Sequence, residues 1–263
     1  MSRDFFFDVA VWWRWAVQAA SWRRTHPPHL FCLFEGAQRG EEQPDIEALR
    51  AGLRSDATPL EAPDAGEGSR AYRKGRTVRS VARTALKSPR EARVLAQLAR
   101  GLQAERVLEL GTCLGLTTAY LARTGAHVTT IEADPLLAEK ARSSWEALGV
   151  QDTITQYVGT FAEVLPELER TWLADRHPGF DLIFIDGHHH GPALRAYVAQ
   201  LRPWLRKREL PAAVVCDDIR WSPSMWAAWQ EFEADWPVAV DLGGSGWLLQ
   251  GPRLTPFHKA VRL

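Results

Sequence analysis

The stretch Arg106-Val107-Leu108-Glu109-Leu110-Gly111-Thr112-Cys113-Leu114-Gly115-Leu116-Thr117 decides how this chain folds. Arg106 to Leu110 reads as a short apolar strand with Glu109 at its end, and Leu116 to Arg123 reads as a helix. Gly111 and Gly115 flank the turn between them. Glycine lets the backbone turn sharply there and come close to a ligand. Amide groups at the helix start, near Thr117, suit an anionic group such as a carboxylate.

The same alternation continues outward from this turn. His127 to Glu132 is a strand rich in β-branched residues, and Pro135 to Leu148 is a helix closed by Gly149. Strands are expected at Thr153 to Val158, Asp181 to Ile185 and Ala212 to Cys216. Helices are expected at Phe161 to Leu173, Ala193 to Leu205 and Met225 to Trp236. Val238 to Leu242 and Trp247 to Gln250 read as a terminal hairpin around Gly243-Gly244-Ser245-Gly246. Strands alternating with helices predict an α/β fold with a doubly wound, Rossmann-like parallel sheet. Seven strands are expected, the last two forming a C-terminal antiparallel hairpin. Residues 91–263 form the core domain in this reading.

Residues 1–90 are less regular and read as a mostly helical extension that lids the site. Asp45 is the expected cap of a helix to Leu53, and Ser88 caps a helix with Pro89 in its first turn. The aromatic stretch Phe5 to Trp13 is interrupted by Asp8. It reads as a helix packed on the domain or a partner, neither a signal peptide nor a membrane span.

Composition narrows the function classes. The 263 residues are 46% hydrophobic and 24% charged, enough apolar material for a sizeable core. Lys+Arg and Asp+Glu both number 32, so no overall charge draws the chain to nucleic acid or an anionic membrane. Cys32, Cys113 and Cys216 are far apart, which excludes a zinc knuckle and points to a reducing, cytoplasmic setting. The basic run Arg70, Arg73, Lys74, Arg76, Arg79 and Arg83 reads as a solvated face, with cover for an anionic ligand as the alternative.

The chemistry gathers at strand ends. Glu132 lies about 20 residues past the glycine loop, where a carboxylate accepts hydrogen bonds from a ribose diol. The loop is Gly-x-x-x-Gly, whereas a dinucleotide pyrophosphate needs Gly-x-Gly-x-x-Gly. Glu109 suits an ammonium group better than a diphosphate, so a nicotinamide-dependent oxidoreductase is the weaker alternative.

Glu109-Leu110-Gly111-Thr112-Cys113-Leu114-Gly115 followed by Thr117-Thr118-Ala119-Tyr120 resembles motif I of class I S-adenosylmethionine-dependent methyltransferases. Thr130 to Pro135 resembles their ribose-binding segment, and Val158-Gly159-Thr160-Phe161 the loop beside the adenine. Phe184 to His189 and Asp217 to Ser222 resemble the fourth- and fifth-strand loops of a bacterial O-methyltransferase-like subgroup. Asp64 to Arg70 looks like its glycine-serine-arginine loop, while His26-Pro27-Pro28-His29 departs from its pattern. The resemblance implies S-adenosylmethionine held by Glu109, Gly111, Thr112, Cys113, Gly115, Thr117, Glu132, Ala133, Thr160, Phe161 and Asp186. It implies a small-molecule methyl acceptor faced by Asp186, His189 and Asp217, with His189 a candidate base. Likeness to metal-dependent catechol-type enzymes implies Mg2+ at Asp186, Asp217 and Asp218, against the alternative that these aspartates only cap helices or bond loop amides. Trp221, Met225, Trp226 and Trp229 read as a packing stripe, with an aromatic acceptor wall as the alternative. A homodimer and a catalytically silent binding protein stay open.

Overall fold

The computed structural model describes residues 5–24, 27–60, 75–175 and 177–263. In chain order these form α1 (Phe5–Gln18), β1 (Ala20–Ser21), α2 (Pro28–Gln38), α3 (Pro44–Leu53), α4 (Val78–Thr84), α5 (Pro89–Gly101), β2 (Arg106–Leu110), α6 (Leu116–Ala122), β3 (His127–Glu132), α7 (Pro135–Leu148) and β4 (Ile154–Val158). They continue with α8 (Phe161–Asp175), β5 (Leu182–Ile185), α9 (Gly191–Leu201), β6 (Ala212–Cys216), α10 (Pro223–Asp235), β7 (Val238–Asp241), β8 (Gly246–Gln250) and β9 (Phe257–Arg262).

The central strands are apolar on both faces because helices cover both. Val107, Leu182, Phe184, Ala213 and Val215 pack toward one core with α2, α5, α6 and α7. Their neighbours Leu108, Leu110, Ile183, Ile185, Val214 and Cys216 pack toward a second core with α8, α9 and α10. This is the period-two alternation of strand side chains, expressed without a polar face.

The sheet order is β1-β9-β7-β8-β6-β5-β2-β3-β4. β2, β3, β4, β5 and β6 run parallel, and β8 pairs antiparallel with β6 and with β7. The expected seven strands are all present with their terminal hairpin. β9 adds a parallel strand beside β7, and two-residue β1 extends that edge, giving nine. β9 escapes a periodicity reading because it buries only Phe257 and Val261, four residues apart, so no alternating pattern marks it.

From β2 the chain winds outward through β3 and β4, then returns to the other side of β2 with β5 and β6. The reversal lies between β2 and β5. Ligands in doubly wound sheets bind in the crevice beyond the carboxyl ends at that point.

Helix starts follow local chemistry. Ser88 and Glu91 form a reciprocal capping box on α5, Asp134 caps α7 through Leu136 and Leu137 amides, and Ser222 caps α10. Asp45 does not cap α3. Gln43 holds that position, and Pro44 takes the first helical turn, where a missing N–H costs nothing. Asp45 instead pairs with Arg123 at 2.5 Å. Helix α1 lies on the β7–β8 hairpin, with Trp12 and Trp15 against Gly243 and the Trp15 indole donating to the Asp241 carbonyl at 3.3 Å. No described helix is long and apolar enough to cross a membrane.

Candidate active site

Three strand ends converge. The Gly111 amide donates to the Ile131 carbonyl at 3.0 Å, the Asp186 amide to Leu110 at 2.8 Å, and the Asp217 amide to Ile185 at 2.9 Å. The loops after β2, β5 and β6 are thereby held side by side. Gly111 has φ +105, and a Cβ there would stand 2.0 Å from the Asp186 carbonyl oxygen. Only glycine fits both the conformation and the space. Cys113, His188 and Asp218, all in these loops, also carry positive φ. Strained backbone concentrated at loop tips over a sheet switch point is a mark of a functional site.

Glu109 is fully buried. Its Oε2 accepts hydrogen bonds from the hydroxyls of Thr118 at 2.5 Å and Thr130 at 2.8 Å. Thr112 steadies Thr130 through a 2.6 Å hydroxyl contact. The other oxygen, Oε1, is buried without a protein partner. Burial pushes the Glu109 carboxyl up to about 7, against the two threonine hydrogen bonds and with the nearby Glu132 charge. An orphaned buried carboxylate oxygen is costly unless a ligand donor completes it.

Glu132 ends β3. Its Oε2 accepts from the Cys113 amide at 2.8 Å and its Oε1 from the Asp134 amide at 3.0 Å, so both oxygens are oriented and keep free lone pairs. Burial raises its pKa despite these amides. Gly115 begins α6 in the left-handed region, φ +77, with the Trp145 indole donating to its carbonyl at 2.8 Å. Thr117 is buried in the first turn of α6, and Ala133 is exposed beside Glu132. Thr160 caps α8 reciprocally with Glu163. Phe161 packs edge-on to Tyr197 at 5.5 Å, and a Cβ on Gly187 would meet it at 3.0 Å.

At the ends of β5 and β6, Asp186 and Asp217 come together, and Lys87 reaches both. Its ammonium hydrogen-bonds Asp217 Oδ2 and stands 3.8 Å from Asp186 Oδ2. Burial works against the Lys87 charge, but the carboxylates of Asp186, Asp217 and Asp218 outweigh it and raise its pKa. Burial likewise pushes the Asp186 carboxyl up to about 6, with Lys87 opposing. Burial and the Asp186 charge raise Asp217.

His189 sits apart from that pair. Its Nε2 is 3.7 Å from Asp218 Oδ2, and its ring lies 5.4 Å from that of Trp221. His188 instead hydrogen-bonds the Tyr197 hydroxyl at 2.9 Å. The expected packing stripe divides: Met225 and Trp229 are buried, whereas Trp221 is exposed and Trp226 stacks on the Arg220 guanidinium at 4.4 Å. The Arg70, Arg73 and Lys74 part of the basic run, and the Asp64 to Arg70 loop, lie outside the described residues, as does His26. Arg76 is not a solvated charge; it pairs with the cap Asp134 at 2.6 Å.

The expected Mg2+ set of Asp186, Asp217 and Asp218 does not fit a divalent ion. The Lys87 ammonium already pairs with Asp217 and stands 3.8 Å from Asp186, and Asp218 is turned toward His189. Among the described residues no three His, Cys, Asp or Glu side chains gather as ligands. Lys87 escaped the sequence reading because it sits one residue before the helix cap Ser88, in a stretch that reads only as a helix start. A lone lysine preceding a capped helix carries no periodic or motif signal.

A cavity of about 250 Å3 opens beside this group. Lys87, Thr117 and Asp217 mark its polar side, and Trp15, Leu95 and Trp247 are among its apolar walls.

The sheet order defines a doubly wound, Rossmann-like fold, and the glycine loop with the two strand-end glutamates lies at its switch point. Comparison with known proteins agrees: residues 108–219 match the family model described as a methyltransferase domain. Among curated proteins, the chain is 33% identical over 135 residues to a catechol O-methyltransferase of Mycobacterium tuberculosis, covering 50% of this chain and 56% of that protein. It is 32% identical over 102 residues to a catechol O-methyltransferase of Niastella koreensis, covering 38% and 44%. The chain thus spans about half the length of the curated relatives it matches. Its fold is similar to the O-methyltransferase TomG of Streptomyces achromogenes, solved with S-adenosylmethionine, at TM-score 0.57 and 21% identity over 83% of this chain and 93% of that one. An O-methyltransferase of Bacillus cereus, solved with S-adenosylhomocysteine, aligns at TM-score 0.55 and 19% identity over 83% and 94%.

Proposed function

We propose that this protein transfers a methyl group from S-adenosylmethionine to an oxygen of a small molecule. The observation that carries the reading is the buried, unpartnered Glu109 Oε1 at the mouth of the Gly111 loop, with Glu132 oriented one strand away. An acceptor oxygen buried next to a glycine turn fits an ammonium donor, and a second carboxylate with free lone pairs fits a vicinal diol. S-adenosylmethionine has both groups, and when bound it supplies an electrophilic methyl on a sulfonium.

In this reading Glu109, Gly111, Thr112, Cys113, Gly115 and Thr117 form the cradle for the methionine end. Glu132 and Ala133 border the ribose, Thr160 and Phe161 the adenine, and Asp186 closes the site from β5. The acceptor enters the cavity beside Lys87, its apolar part against Trp15 and Trp247 and its hydroxyl toward Asp217. Positioning in a partly dry crevice does much of the work, because the displacement needs acceptor and methyl in line. Asp186 and Asp217 lie where a hydroxyl proton would be held, and His189, one loop step away, is a second candidate for that task. Of the described residues in the 1–90 extension, α1 acts as a lid, lying over the hairpin that bounds the cavity. The catechol name of the relatives supports a phenolic or similar hydroxyl acceptor.

The test is release of S-adenosylhomocysteine across a panel of phenols, catechols and hydroxylated aromatic acids. Turnover with at least one oxygen acceptor, lost in Asp217→Asn, is expected. Silence across the panel by a chain that binds the cofactor contradicts the catalytic part of the proposal.

A further inference from the structure

Lys87 reaches the site from outside every loop that the strand ends contribute. Ser88 and Glu91 lock the backbone next to it in a capping box, so the stem of Lys87 leaves from a fixed point. Its side chain is only 15% exposed, and its ammonium meets one buried carboxylate directly and another at 3.8 Å. Two carboxylates facing each other in a buried site need a cation or a shared proton between them. In a magnesium site that cation is the metal, which needs its oxygens at about 2.0–2.1 Å in an octahedral shell. Here the ammonium already spans the pair. A divalent ion on the same oxygens would stand next to a fixed positive charge with little water to screen it. The third carboxylate, Asp218, is directed to His189 by a left-handed backbone, φ +49. Lys87 and Asp217 also both line the 250 Å3 cavity, so the pair borders the space open to an acceptor.

We infer that Lys87 is the resident cation of the acceptor site: its ammonium holds the acceptor oxygen in the place of a divalent ion, and its presence keeps divalent ions off Asp186 and Asp217. The acceptor role rests on the methyl-transfer reading. The exclusion of divalent ions does not, and it is the part to test first.

Mn2+ paramagnetic resonance on the full chain reads it directly, without turnover. The wild-type chain is expected to leave the free-ion signal unchanged up to about 1 mM Mn2+. Lys87→Ala is expected to bind Mn2+ at least about tenfold more tightly than wild type. Lys87→Ala combined with Asp217→Asn loses that gain, and Lys87→Arg, which keeps the charge, behaves as wild type. Should the alanine chain fail to fold, Lys87→Gln keeps the stem and carries the same comparison. Tight Mn2+ binding by wild type that disappears in Asp217→Asn overturns the inference. So does a folded Lys87→Ala chain that binds Mn2+ no better than wild type. S-adenosylhomocysteine titration of the same chains separates the two claims: failure of wild type to bind it sinks the methyl-transfer reading and leaves the Mn2+ comparison standing.

Discussion

Two glutamates carry the cofactor argument, and each makes its own prediction. Glu109 is buried with a folded pKa of about 7 against an ordinary 4.5. The folded chain therefore holds a proton that the unfolded chain releases between those values. The sign follows from linkage: folding stability falls as pH rises from about 4.5 to about 7, by up to roughly 3 kcal/mol for this group. Wild type should lose thermal stability from pH 5 to pH 8 more steeply than Glu109→Gln, whose side chain does not titrate. Parallel melting profiles for the two chains would contradict the assignment. S-adenosylhomocysteine should flatten the wild-type profile, because its ammonium favours the ionised carboxylate. Glu132 acts through two oriented oxygens. Glu132→Ala removes the acceptor for the Cys113 and Asp134 amides as well as for a ribose diol. Adenosyl ligand affinity should fall by about a hundredfold, worth roughly 3 kcal/mol, in an isothermal titration.

At the scale of elements, the turn between β2 and α6 and the seam under α1 are the sensitive joints. Gly111→Ala would drive a Cβ against the Asp186 backbone in a conformation that L residues avoid. A loss of about 2–4 kcal/mol in urea unfolding is expected, together with loss of cofactor binding. Arg220 is buried between the Trp12 and Trp226 rings and bonds Asp241 at 2.7 Å, tying α1 to the start of α10 and to β7. Arg220→Ala strands a buried Asp241 carboxylate, and the urea midpoint should drop by the equivalent of about 3–5 kcal/mol. A change under about 1 kcal/mol would mean the seam is not a structural joint. Elements with strong local chemistry are legible in the sequence: Ser88 caps where its pattern says, and β2, β3 and β6 keep their expected bounds. The α3 cap was misread because Pro44 moves the helix start upstream of Asp45. Strands β1 and β9 were illegible because edge strands bury few residues and owe their existence to pairing with each other and with β7.

Across the whole molecule, the fold was readable because strand–helix alternation is a property of order along the chain, and order dictates a doubly wound sheet. The proposed cofactor half of the site follows from the same order: Glu109, Gly111 and Glu132 fall at strand ends that the topology sets side by side. The reaction half was only half readable. Asp186 and Asp217 belong to adjacent strands, β5 and β6, so their meeting follows from the sheet. Lys87 joins them from the loop before α5, 130 residues before Asp217, and nothing in its own neighbourhood announces that contact. The central claim is that the crevice between β2 and β5 takes an adenosyl sulfonium cofactor and no dinucleotide. Isothermal titration of the full chain with S-adenosylhomocysteine, and separately with NADH and NADPH, tests it most directly. The account predicts one-to-one S-adenosylhomocysteine binding, weakened about a hundredfold by Glu132→Ala, and no heat with either dinucleotide. Tight dinucleotide binding by a chain indifferent to S-adenosylhomocysteine would contradict it.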